Sequence, residues 1–233
     1  MKLTRLVAAM VLIAAGGAQA GPVLVNSAAA LGANDSVNWS QLGIGGTIFG
    51  PGFNATSANS LAITGSLAGV DGCVAVVNGS GCGWNAGPGF NGGDSVLWTE
   101  DDVNYIGSGP LTFGFNGMLG AGLYIQALAS GAFTASIEAF NGLNSLGSFS
   151  EDSVNGDGIF IGVLDSLADI TSIRLSLTGC SAICDLNDFG VNALQLTAQS
   201  ENSVPEPATL PLVLLASGGL ALLRRRTAGN MAA

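Results

Sequence analysis

The chain has 233 residues, including 36 glycines, four cysteines and no histidine, and only 9% of its side chains are charged. Five of its six bases lie near the two ends, so between residues 21 and 203 Arg174 alone faces fifteen acids, a formal charge of −14. Such a field repels nucleic acid and anionic lipid headgroups; the missing histidine excludes Ser-His-Asp catalysis, and the missing lysine excludes a lysine nucleophile in that stretch.

The first twenty residues read as a secretory signal peptide. Lys2 and Arg5 form a charged start, Leu6 to Ala15 an apolar run, and Ala18-Gln19-Ala20 a small-residue cleavage site that makes Gly21 the mature N-terminus. The apolar run is too short for a membrane-spanning helix. The expected partner at this end is the Sec export machinery.

From Gly21 to Ala198 the pattern is that of strands. Gly131 to Phe140 alternates, with Phe133, Ala135, Ile137 and Ala139 on one side, and Ile173, Leu175 and Leu177 alternate with Arg174, Ser176 and Thr178. Further strands are expected at 37–42, 44–49, 60–67, 73–77, 95–99, 111–116, 122–128, 158–163 and 189–197, separated by Gly, Asn, Asp and Pro clusters that build turns. No sustained helical period is present. Short strands with one apolar face each bury that face by pairing two antiparallel sheets, so the fold expected for 21–198 is an all-β, antiparallel β-sandwich of jelly-roll type. The pentapeptide Gly50-Pro51-Gly52-Phe53-Asn54 recurs at Gly87 to Asn91, but its flanks do not align, which points to recurring turn chemistry rather than a repeat.

The cysteines fall as two local pairs, Cys73 with Cys82 and Cys180 with Cys184. Three pairings are open; the nearest-neighbour one closes two short loops and suits an oxidising compartment. Zinc is disfavoured because neither Cys-x2-Cys spacing nor histidine accompanies the thiols.

Candidate chemistry lies with carboxylates and aromatics. Glu100-Asp101-Asp102, then Glu151-Asp152 with Asp157, then Asp185 with Asp188 are acid clusters on Gly-rich stretches. Two readings stand: they solvate loops, or Asp188, Asp152 and Asp157 contribute to structural Ca²⁺, which takes about six to eight oxygens in flexible geometry. No other cofactor is expected. A glycosidase needs only two suitably spaced carboxylates, yet nothing selects a pair. Sugar stacking would use Trp84, Trp98 and Tyr105, with burial in the core as the alternative for the same rings.

The C-terminal end carries an address. A polar spacer, residues 199–203, precedes Val204-Pro205-Glu206-Pro207, an apolar run at 208–223 that reads as a transmembrane helix, Arg224-Arg225-Arg226, and a short tail at 227–233. Sixteen apolar residues are slightly fewer than the roughly 17 to 25 of an ordinary span, but flanking arginines can snorkel and should stay cytoplasmic. Physics alone leaves an ordinary anchor and a sorting signal open.

The order Val204-Pro205-Glu206-Pro207, apolar run and Arg224 to Arg226 resembles the PEP-CTERM sorting signal of Gram-negative bacteria. That resemblance implies recognition by exosortase, transient insertion in the inner membrane, cleavage near the motif and export to the cell surface or an exopolysaccharide matrix. The body is similar to domains of that family in Phe160-Ile161-Gly162-Val163, Ile170-Thr171-Ser172-Ile173 and Asp188-Phe189-Gly190-Val191, and such domains resemble carbohydrate-binding jelly rolls. The expected function is that of a non-enzymatic surface or matrix protein associated with exopolysaccharide; the alternative is a carbohydrate-binding module or glycosidase with a defined site.

Overall fold

The structure is a computed structural model that describes residues 21–79, 81–84, 88–100, 107–181 and 184–199. The signal peptide, the sorting motif, the 208–223 helix and the 227–233 tail lie outside the described residues; among those that are described, no helix is long and apolar enough to cross a membrane. The body belongs to one compact unit that ends at Ala198.

The described strands are β1 (Val23–Val25), β2 (Asp35–Val37), β3 (Thr47–Phe49), β4 (Gly52–Thr56), β5 (Ala62–Leu67), β6 (Gly72–Val76), β7 (Ser95–Trp98) and β8 (Leu111–Met118). They continue with β9 (Gly120–Ala127), β10 (Phe133–Asn141), β11 (Asn144–Ser153), β12 (Ile159–Leu164), β13 (Ile170–Cys180), β14 (Phe189–Val191) and β15 (Leu194–Thr197). A nine-stranded sheet runs β1-β12-β9-β14-β7-β6-β3, with β15 pairing β9 and β2; a six-stranded sheet runs β11-β10-β13-β8-β5-β4. Every pairing is antiparallel. From β8 onward the chain repeatedly crosses between sheets, the jelly-roll type of wiring anticipated above.

The two sheets bury their residues differently. In β4 and β5 exposure alternates strictly, so Phe53, Ala55, Ile63, Gly65 and Leu67 face the core and the strand residues alternating with them face water. In β6, β9, β12 and β14 nearly every residue is buried, the pattern of strands covered on both faces. The core between the sheets centres on Trp39, whose ring stacks on Phe113 at 5.0 Å.

Outside the nine-stranded sheet, two pieces of chain form the cover. Ala28 and Leu31 of the short helix α1 (Ala28–Leu31) pack with Val25 against Phe160, Tyr124 and Leu164. Residues 77–79, 81–84 and 88–94, between β6 and β7, lie over β7 and β14 through contacts described below. Small residues make this possible: a Cβ on Gly122 would meet the Phe160 ring at 2.8 Å, so glycine is what lets that ring lie on the strands.

Three expectations need correction. The stretch 37–42 is a strand only as far as Val37; Asn38 then accepts a hydrogen bond from the Ser40 amide at 2.8 Å and starts a 3₁₀ turn that swings Trp39 inward. The stretch 189–197 is two strands, broken where Asn192 replaces ladder bonds: its side-chain oxygen accepts from the Tyr124 amide at 2.9 Å, and its carbonyl from Trp39 Nε1 at 2.6 Å. The first Gly-Pro-Gly-Phe-Asn copy leads straight into β4 rather than remaining a turn. Past the break, Asn34 clamps the exit of β15: its side-chain amide donates to the Ala198 carbonyl at 3.0 Å and accepts from the Ala198 amide at 2.9 Å.

Replacing Phe113 with alanine opens a cavity beside Trp39 and should lower unfolding free energy by about 3–5 kcal/mol, whereas Val154→Ala at an exposed turn should be close to neutral. Urea denaturation of both variants checks the difference.

Candidate functional site

Both disulfides form between nearest neighbours, Cys73 with Cys82 and Cys180 with Cys184, leaving no free cysteine among the described residues. The first does more than close a loop. Cys73 sits on the outer face of β6, so its bridge holds the segment after β6 down on that face.

Two of the aromatic candidates meet here, Trp84 from that segment and Trp98 from the sheet below it. Trp98, at the end of β7, is 2% exposed and meets Trp84 edge-on with ring centroids 5.4 Å apart, while Trp84 in turn packs against Phe90 at 6.0 Å. Trp84 lies over Gly190 of β14, where a Cβ would meet its ring at 2.6 Å. Gln126 of β9 and the Gly158 amide both donate to the Pro88 carbonyl, at 3.0 and 2.9 Å, securing the far end of the segment. Trp84 and Trp98 thus pack against each other, and Trp98 presents no open ring face to a sugar. Tyr105 lies outside the described residues.

The Trp98 indole N–H donates to Asp188 at 2.6 Å. Burial pushes the Asp188 carboxyl above its ordinary 3.8, the nearby negative charge of Asp185 adds to the rise, and the Trp98 bond opposes it. Asp185 itself accepts from the Gly107 and Asn187 amides at 3.0 and 2.9 Å and so shapes the entry to β14. Asp152, on β11, accepts from the Thr134 hydroxyl at 2.7 Å, and the carbonyl of Asp157 accepts from Ser153 at 2.7 Å. Among the described residues no three Asp, Glu, Cys or His side chains group as metal ligands.

The structure brings together a surface that the sequence motifs did not single out. Among the described residues nothing covers the outer face of the six-stranded sheet, and that face is polar. Cross-strand register aligns Ser148, Glu138, Arg174, Thr112 and Ser66 in one row, and Phe140, Ser172, Gly114, Thr64 and Asn54 in the next. Neighbours in a row sit about 4.8 Å apart and the rows about 6.7 Å apart. Arg174 pairs with Glu138 at 2.8 Å and lies 5.8 Å above the Phe140 ring. Two adjoining grooves cross this face. One, of about 250 Å³, is bounded by Thr112, Phe140, Leu143, Ser172 and Arg174; the other, of about 380 Å³, by Thr64, Gly114, Asn116 and Thr171. The available signal was the polar half of each alternating strand, Arg174-Ser176-Thr178 above all.

Two outcomes test the covered face. Asp188→Asn keeps an acceptor for Trp98 but removes a carboxyl whose proton is held more tightly folded than unfolded; ionisation therefore costs stability as pH rises through the raised value. The variant should melt higher than the parent near pH 7, with the gain vanishing below about pH 3.8, measured by thermal melts across pH. Replacing Cys73 and Cys82 together with serine should cost about 2–3 kcal/mol and red-shift tryptophan emission as Trp84 lifts away from Gly190 and uncovers Trp98.

No family model matches this chain and no curated protein matches it, so what the site does is read from its own side chains.

Proposed function

We propose that this protein is exported and acts, without catalysis, at the cell surface or in the extracellular matrix of a Gram-negative bacterium, in association with exopolysaccharide. The observation that carries the reading is the bracketing of a body with one base and fifteen acids by two apolar ends with cationic borders. The C-terminal resemblance adds the route: Sec-dependent export, a transient stay in the inner membrane through 208–223, and trimming by an exosortase-type enzyme near Val204-Pro205-Glu206-Pro207.

Several features of the body support this reading. Two disulfides in so small a domain suit an oxidising destination. A polar carpet of Ser, Thr and Asn, with few charges, suits contact with hydrated polymer rather than with nucleic acid or lipid. Between residues 21 and 203 there is neither histidine nor lysine to serve as base or nucleophile, and the grooves on the open sheet are shallow. The Trp84–Trp98 pair supports packing of the covering segment rather than the sugar-stacking role considered for those rings.

Intact-mass measurement of the protein recovered from culture medium and outer surface is the test. The expected product starts at Gly21 and ends near the Pro-Glu-Pro motif. Full-length protein, soluble in the cytosol with its four thiols reduced, would overturn the proposal.

A further inference from the structure

We infer that the outer face of the six-stranded sheet is a binding surface for uncharged polysaccharide, with the Arg174–Gly114 seam as its centre. The inference deepens the matrix reading and rests on it for the choice of ligand class; the location comes from the fold. Of the two outer faces, that of the nine-stranded sheet is occupied by α1 and by the disulfide-held segment. Among the described residues no segment covers the six-stranded face, and its side chains are of a kind that recognises sugar edges.

Hydroxyls both donate and accept, as sugar hydroxyls do, and here Thr64, Thr112 and Ser172 present them in register on adjacent strands. Gly114 forms the floor between them: a Cβ there would meet Thr64 Oγ1 at 2.6 Å and fill the depression. Along one side stand Phe140 and Leu143, the latter fully exposed at the tip of the β10–β11 hairpin. A pyranose has the matching pattern, with polar edges and an apolar C–H face. Arg174 carries five N–H donors in a fixed fork and uses Nη2 for Glu138, so other donors of the fork can reach vicinal hydroxyls across the groove.

Charge selects the polymer. Arg174 and Glu138 neutralise each other locally, while the rest of the body between residues 21 and 203 carries fourteen acids and no base, which repels uronic or sulfated chains. A neutral, extended glycan running obliquely across β5, β8 and β13 meets both grooves.

Affinity electrophoresis and pull-down of the full chain against neutral glucans and mannans, with alginate as the anionic comparison, test this. Retention by at least one neutral polymer is expected, at least tenfold weaker for Arg174→Ala and for Gly114→Val, partly kept by Ser172→Ala, and unchanged by Val154→Thr on another surface. Near-UV circular dichroism verifies folding of each variant; should Arg174→Ala misfold, Gly114→Val decides the outcome, since a Cβ at that position meets only the Thr64 hydroxyl. Equal retention of parent and Gly114→Val, retention by alginate alone, or no retention by any neutral polymer overturns the inference. Those results leave the export reading intact, which fails on its own through the untrimmed cytosolic product.

Discussion

The nine-stranded sheet must be kept dry on both faces, and the remaining architecture follows from that constraint. Its strands are nearly continuous in Val, Ile, Leu, Phe, Ala and Gly, so either face left open would place a broad apolar patch in water. One face is covered by the second sheet. The other needs chain that is not itself sheet, which the N-terminal segment and the β6–β7 segment provide. Short segments of this kind lose much conformational freedom on docking, and each is held by something stronger than contact: the first by β1 pairing with β12, the second by the Cys73–Cys82 bridge and the Pro88 carbonyl.

The same constraint explains how aromatics and glycines are placed. Phe160 lies on Gly122, and Trp84 on Gly190; in each case a large ring gains contact area only because the strand below has no side chain there. Trp98 then has its indole N–H in a dry place and needs an acceptor, which Asp188 supplies although its charge is disfavoured by burial. What reads in sequence as an acid beside a strand is, in the fold, the polar end of an apolar layer.

Legibility followed burial symmetry. Strands β10 and β13, where apolar and polar residues alternate along most of the sequence, could be read directly, and their two-sheet packing followed; β4 alternates in burial but was passed over because its Gly-Pro-Gly start reads as a turn. Strand β11 was missed because the pairing slips between Ala139 and Phe140, inserting Leu146 and spacing it three residues from Phe149, so that both reach the core without alternating. Trp39 looked like a strand residue because the turn that Asn38 starts leaves no apolar period. The tryptophans were visible as candidates, but whether they open to solvent depends on a long-range cover that no local pattern encodes. The polar face of the six-stranded sheet had the converse difficulty: each strand showed its hydroxyls, yet only the register and the missing cover turn them into one surface.

The Asn34 side chain closes a two-bond ring on the backbone of Ala198, immediately before the chain leaves the sandwich. Ahead of it, β15 is held between β9 and β2. Tension applied from beyond residue 199 would therefore be borne first by this clamp and then by two ladders at once, and the break at Asn192 would confine early rupture to β15, sparing β14 and the layer under Trp84. The arrangement is a mechanical fuse, short and able to re-form.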